Sequence, residues 1–227
     1  MRAAVIQPSY IPWRGYFHQI QRADVFVFYD DVQYDKHGWR NRNRIKTAAG
    51  PRWLTIPVRS KGNVVERTPI HEIAIVWDEP WNKKHWATLT QAYGRAPHFR
   101  RYAPRLEAFY QQRPEHLADF TIALTIELAR ELGIERRWVR SSTLGVSGGR
   151  TDRLLAVLTG LGVTHYISGP RARAYLEEEK LRAANITLEY MTYEYPEYEQ
   201  LYPPYDPQVS ILDLLFMVGP DAPRYIW

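Results

Sequence analysis

The chain contains no cysteine. That excludes disulfides, thiolate nucleophiles, thioesters carried on the protein itself and Cys-ligated zinc. No apolar run approaches the roughly 20 residues that a membrane-spanning helix needs. The first residues lack the positive stretch and apolar stretch of a secretory signal. A cytoplasmic location without a membrane partner is the expectation. Internal repeats, linkers and low-complexity runs are absent too. What remains is 227 residues, 45% of them hydrophobic, enough to close a packed core. The net charge of +5 fits either a solvated Arg-rich surface or an anionic partner. Sixteen Tyr and eight Trp can fill a core or form platforms for sugars and bases.

Residues 3–7, AAVIQ, read as a short strand. Pro8 and Pro12 bracket a turn, and residues 15–23 put Phe17 and Ile20 on one helical face. Residues 24–31, DVFVFYDD, are nearly continuous in hydrophobicity, as in a strand of a parallel sheet buried on both faces. Together these make a βαβ unit. Strands are predicted at 51–58 and 72–77, with a charged loop, SKGNVVERTP, between them. Helices follow from WNKKHW to near Gly94, over FRRYAPRLEAFYQQ, and over 115–132 with Gly133 as its stop. WVRSS reads as a strand. A helix at 151–162 takes Thr151 as N-cap and Gly162 as terminator. THYISG is a strand, 172–185 a helix, and ITLEYMTY a strand. The last helix is SILDLLFMVG, with Ser210 as N-cap. The expected architecture is one α/β domain over 1–227, Rossmann-like with a mostly parallel sheet and a largely helical insertion at about 80–135.

Ligands of open α/β sheets bind beyond the carboxyl ends of the strands. That rule selects Gln7 to Tyr16, Asp30 to Tyr34, Ser141 to Thr151, and Ser168 to Arg171. The first of these is similar to nucleotidylyltransferases in arrangement. Those enzymes hold phosphates with a His-x-Gly-His motif, where this chain has Trp13, Arg14, Gly15 and Tyr16. Asp30 and Asp31 close a strand, so their side chains should point to opposite faces and only one should meet a ligand, as a base, a hydroxyl holder or a Mg²⁺ ligand. In WRNRNRIK at 39–46, Arg40, Arg42, Arg44 and Lys46 recur with period two. An extended backbone would array all four on one face, suited to phosphate or carboxylate unless the loop is merely solvated. His85, beside Lys84 and between Trp81 and Trp86, is the histidine with the densest aromatic company. The glycines of STLGVSGGRTD precede a helix and can cradle an anion, but their spacing is not that of a Walker motif.

IQPSYIPWRGYFHQI, FVFYDDVQYDKHGWRNRNRIK, WLTIPV, KKHW, YISG, YPEYEQ and SILDLLF occur in that order from about residue 3 to 219. This set resembles the WbqC-like family of bacterial proteins, found with polysaccharide (O-antigen) and natural-product clusters. The resemblance implies glycine or other aminoacyl transfer to an amino sugar. Its matched positions include Gln7, Pro8, Tyr10, Trp13, Gly15, Tyr16, Asp30, Asp31, Tyr34, Trp39, Asn43, Lys84, His85, Ser168, Gly169, Tyr198, Gln200, Ser210 and Asp213. The family pattern usually opens His-Gln-Pro, whereas Ile6 precedes Gln7 and Pro8 here.

The expected reaction is amide formation on an amino sugar or other amine from a preactivated thioester or ester, with no cofactor. The acceptor would be a small-molecule amine or a nucleotide-sugar. The donor would be a phosphopantetheinyl carrier protein or an aminoacyl-tRNA. His85 or Asp31 would act as base. Asn43, or backbone N–H groups after Ser168, would stabilise the oxyanion. Gln7, Tyr10, Trp13, Gly15, Tyr16, Asp30, Tyr34, Arg42, Arg44, Lys46, Lys84, Ser168 and Gly169 would bind substrate. Two alternatives stay open: ATP/Mg-dependent nucleotidyl transfer or ligation, and a non-catalytic nucleotide-sugar or RNA-binding module.

Overall fold

A computed structural model describes residues 1–59 and 67–227. Most of the charged loop read at 60–69 lies outside the described residues. Five strands form one sheet: β1 (Arg2–Ile6), β2 (Val25–Phe28), β5 (Arg137–Arg140), β6 (His165–Ser168) and β7 (Thr187–Tyr190). Their spatial order is β5-β2-β1-β6-β7, and every pairing is parallel. Numbered along the chain, these five parallel strands run 3-2-1-4-5. That is a Rossmann-like α/β order, with its topological switch point between β1 and β6.

The hydrophobic pattern explains why the sheet is buried on both sides. Ala3, Val5, Val25 and Val27 pack against α5 (Arg150–Gly160) and α6 (Glu178–Ala183) through Leu154, Val157, Leu158 and Leu181. Their alternates Ala4, Phe26 and Phe28 face α1 (Arg14–Arg22), which contributes Phe17 and Ile20. Three helices cover the same face: α2 (Trp81–Tyr93), α3 (Phe99–Gln111) and α4 (Leu117–Glu131). Helix α7 (Ile211–Val218) joins them, and Ser210 caps it by accepting the Leu212 N–H at 3.2 Å. Gly133 ends α4 at φ +72, and Ile134 N–H returns to Ala129 O, so only a residue tolerant of left-handed backbone serves there.

The basic stretch does become a strand. β3 (Arg42–Thr47) pairs antiparallel with β4 (Gly50–Thr55) as a separate hairpin. Three local expectations fail. Residues 72–77 form no regular strand. A 3₁₀ turn, Ile70–Glu72, is followed by isolated bridges, Ala74 to His116 and Val58 to Ile75. The backbone there divides its hydrogen bonds: Ile75 N–H goes to Glu115 O and Val76 N–H to Pro57 O. The alternating apolar residues thus tie the hairpin to the start of α4 instead of lining one ladder. The helix expected at 172–185 is broken into a 3₁₀ turn, Pro170–Ala174, and the short α6. Thr151 does not cap α5. Gly149 is its N-cap, and the Thr151 hydroxyl accepts the Glu177 N–H at 3.2 Å, joining α5 to the segment before α6.

Candidate functional site

Two polar assemblies meet the carboxyl edge of the sheet. The first is built on the loop between β1 and α1. Ile11 sits there at φ 37, a conformation that a β-branched residue rarely adopts. Asn43 holds it: one amide group donates to Tyr10 O at 3.1 Å and Ile11 O at 2.9 Å. Its oxygen accepts the Arg44 N–H at 2.8 Å. Both amide hydrogens of Asn43 are therefore committed to the loop, where the sequence suggested an oxyanion donor. Tyr16 donates to Gln7 O at 3.2 Å. A Cβ on Gly15 would lie 2.3 Å from the Trp13 ring, so glycine is what lets that indole rest on the first turn of α1.

The helical segment reaches this loop. His85 Nδ1 lies 2.9 Å from the Tyr10 hydroxyl, which lies 2.5 Å from the Tyr110 hydroxyl. All three side chains are buried. Tyr10 thus supports the loop from below and does not face solvent. Burial lowers the His85 pKa from 6.5 to about 4; a hydrogen bond with Thr55 backbone opposes this and the charge of Arg52 adds to it. His85 is neutral at pH 7. Its unfolded form takes the proton first, so its stabilising contribution is complete above pH 6.5 and is lost as pH falls towards 4. The expected loss is about 3 kcal/mol at about 1.4 kcal/mol per pH unit. Urea denaturation across that window should show a steeper acid limb for the native chain than for His85→Gln. Parallel curves would mean that His85 does not carry the effect. Lys84, one residue earlier, points outward and pairs with Glu79 at 2.6 Å, away from the loop.

The second assembly joins the ends of β2 and β5. Asp30 is fully buried. Its carboxylate accepts Arg140 Nε at 2.7 Å, Ser142 N–H at 2.9 Å and the Ser142 hydroxyl at 2.9 Å. Burial pushes the Asp30 pKa up, but these donors and the Arg140 charge together bring it below its ordinary value. Asp31 accepts the Ser141 hydroxyl at 2.5 Å and pairs with Arg153. The two acids were expected on opposite faces. Instead both reach the Ser141 hydroxyl, because β2 ends at Phe28 and strand alternation no longer governs residues 30 and 31. Tyr29 stands beside them, its hydroxyl pKa pushed up to about 12 chiefly by burial. Among the described residues, no cluster of three or more His, Asp or Glu is placed to hold a metal ion.

At the switch point, Gln19 of α1 donates to Ile167 O at 2.8 Å and accepts the Tyr193 hydroxyl at 3.2 Å. Trp13 packs edge-on to Tyr193 at 5.0 Å, and Tyr195 lies beyond it. Ser168 is buried and donates to Tyr166 at 3.3 Å, while Gly169 lies half-buried 3.4 Å (as a built Cβ) from the Tyr193 hydroxyl. An aromatic segment from the end of the chain therefore walls this crevice.

The cations of the hairpin have different fates. Arg44 bonds Gln208 O at 3.0 Å and sits 3.6 Å from Asp206. Lys46 is buried and donates to Pro204 O. Arg42 donates to the carbonyls of His37 at 2.7 Å and Gly38 at 3.4 Å. Tyr34 is buried where its N–H meets Thr68 O at 2.9 Å. Arg40, which belongs to the same period-two series but was not selected from it, is the least satisfied. Among the described residues its side chain makes one hydrogen bond, a 3.4 Å contact to Pro8 O, and its buried Nε has no partner. Burial lowers its pKa, against the opposing influence of Tyr16, Asp35 and Tyr34. The partners of Asp30 and Asp31 were also partly foreshadowed, since Ser141 to Thr151 was one of the four strand-end stretches. Arg140 and Arg153 carried no signal of their own.

A cavity lies elsewhere, at the amino edge of the sheet. It measures about 690 Å³ and is lined by Arg2, Gln21, Arg22, Asp24, Arg136 and Arg137 among others. No helix of the described residues is long and apolar enough to cross a membrane. The profile of the WbqC-like protein family matches residues 7–225. Uncharacterized protein Rv1507c of Mycobacterium tuberculosis (strain ATCC 25618 / H37Rv) is 40% identical over 227 residues, spanning 99% of this chain and 97% of the relative. No solved structure matches.

Proposed function

Because the chain belongs to the WbqC-like protein family, we propose that it transfers an aminoacyl (glycyl) or acyl group from a preactivated thioester or ester to an amine, such as an amino sugar. The partnering of charges at the strand ends supports this reading. Among the described residues the Arg40 side chain makes one long hydrogen bond, to Pro8 O at 3.4 Å, so its guanidinium is the one left to take an anionic group of the substrate. Asp30 and Asp31 lie against the cations Arg140 and Arg153, whose charge disfavours Mg²⁺ at those carboxylates, as nucleotidyl transfer would require. A preactivated donor needs no such step.

In this reaction the acceptor ammonium first loses a proton to Asp31, the less buried of the two acids. The amine nitrogen then forms a bond to the acyl carbon, and the carbon–sulfur or carbon–oxygen bond breaks. The departing thiolate or alkoxide takes up the second proton lost by the nitrogen, and Asp31 returns the first to solvent. Gln7, Ser168 and Gly169 border the crevice where the acyl group would lie. Trp13, whose indole gives α1 no side-chain cap, leaves first-turn N–H groups facing that edge. His85 positions the loop through Tyr10. The assay supplies an aminoacyl-loaded carrier protein or an aminoacyl-tRNA with a nucleotide-linked amino sugar. An amide product without pyrophosphate or AMP release is expected. Asp31→Asn should lower kcat by roughly 10²-fold or more, in the range of a lost general base. ATP-dependent release of pyrophosphate or AMP would replace this reading with nucleotidyl transfer.

A further inference from the structure

Trp39 and Trp53 are 39% and 45% exposed, two of the five exposed large hydrophobic side chains among the described residues and the two that touch each other. They lie against each other, ring centroids 5.2 Å apart and planes tilted by 34°. The Arg42 guanidinium sits 4.7 Å from the Trp53 ring centre. Strand register explains the grouping. Trp53 is opposite Arg44 and one diagonal step from Arg42, all on the outward face of the hairpin. Trp39 is held to the candidate site by its backbone, because its carbonyl accepts the Tyr10 N–H at 3.2 Å. Arg40, the next residue, reaches the Pro8 carbonyl of the same loop at 3.4 Å.

We infer that Trp39, Trp53 and Arg42 form the base-stacking platform of a nucleoside-diphosphate site, with Arg40 receiving the phosphates. The chemistry of the surface selects that ligand. Two exposed indoles and a guanidinium present flat faces, which suit a heteroaromatic base. Among the described residues the hydrogen bonds of the Arg40 and Arg42 guanidiniums go to backbone carbonyls, and neither forms an ion pair with an acid, Asp35 acting on Arg40 only at longer range. A neutral sugar would use the indoles and leave these charges unmet. A simple carboxylate would use the charges and leave the indoles bare. Single-stranded RNA shares the base and phosphate, but it needs a continuing track of cations. Here the next two cations are engaged, Arg44 by Gln208 and Asp206 and Lys46 by Pro204. The inference rests on the transfer reading above only in making the nucleotide part of the acceptor.

The test is direct binding, without turnover. Tryptophan fluorescence and calorimetry would follow titration with UDP, ADP and GDP, with uridine and pyrophosphate as half-ligands and a CCA-ended RNA oligonucleotide as the polymer. A nucleoside diphosphate should quench the fluorescence and bind more tightly than either half. Trp53→Ala should weaken it by roughly 5- to 150-fold, which is about 1–3 kcal/mol of stacking. Trp53→Phe should restore most of the loss. Arg40→Ala should weaken the diphosphate but not the nucleoside. Thermal denaturation should leave both tryptophan variants near the native midpoint, since the rings are exposed. No binding by any mononucleotide would overturn the inference. So would unchanged affinity in the Trp39→Ala/Trp53→Ala double variant, or RNA binding alone with a steep fall in salt. If nucleotide binds as described but no acyl group is transferred, the platform stands and the transfer reading fails.

Discussion

Asp213→Ala is expected to lower stability by roughly 4 kcal/mol, because it strands several buried donors that each cost about 1–3 kcal/mol when left unmet. The side chain is fully buried on the first turn of α7. It accepts the Tyr93 hydroxyl at 2.9 Å, the Tyr198 hydroxyl at 2.8 Å and Gln200 Nε2 at 3.0 Å. Tyr93 in turn accepts the Lys46 N–H at 2.8 Å. One carboxyl therefore joins α7, α2, the hairpin and the chain-terminal segment that walls the crevice. In a chain of this length the loss corresponds to about 8–16 °C in Tm. Urea denaturation of the variant would check it, and an unchanged midpoint would mean that the four elements hold together by apolar packing alone. Burial raises the Asp213 pKa more than its donors and Lys46 lower it. The folded chain thus keeps this proton longer than the unfolded one. The site's contribution is greatest in acid and declines as pH rises through the region above the ordinary carboxyl value.

Asp30 has the opposite sign, and Arg140→Ala should expose it. Removing one partner of a buried ion pair costs about 3–5 kcal/mol, because the other charge stays buried. Asp30 keeps Ser142 after that change, so the lower end, about 3 kcal/mol, is expected. Asp30→Ala should cost a similar amount, since Arg140 retains Asp119 at 2.6 Å. The double variant should cost clearly less than the sum of the two. Strict additivity in this cycle would show that the pair is not coupled. The folded Asp30 pKa lies below its ordinary value, so its stabilisation is complete above the unfolded carboxyl value and fades as pH falls through the folded one. Comparing Asp30→Asn with the native chain should therefore show a difference at pH 7 that shrinks in acid.

These two carboxyls mark the boundary of what the sequence discloses. Alternation in AAVI and the unbroken apolar run of VFVF specified the central strands and their double burial, because strand periodicity is a local property. The period-two cations likewise gave an extended strand. Their partners were not legible: Lys46 meets Pro204 158 residues on, and Arg44 meets Gln208 164 residues on. A basic stripe looks the same whether carbonyls or a ligand will meet it. The same limit explains residues 72–77, whose alternation is real but serves two different neighbours, the stretch after β4 and the start of α4. At the strand ends, the sequence picked out loops that the structure places at the carboxyl edge of the sheet. It did not separate residues that line a cleft from those that hold its walls, such as Tyr10 and Asn43, because burial is decided by packing between distant elements.

The central position of β1 has a consequence for synthesis. Its pairing with β2 is available after about 20 residues, but its other neighbour is β6, which begins at His165. At about 5–20 residues per second, roughly 7–28 s separate the two on the ribosome. During that interval one edge of an almost wholly apolar strand has no partner, which is the geometry that invites pairing with other chains. The nascent first half is therefore the aggregation-exposed form of this protein, and chaperone demand should fall once β6 has left the exit tunnel.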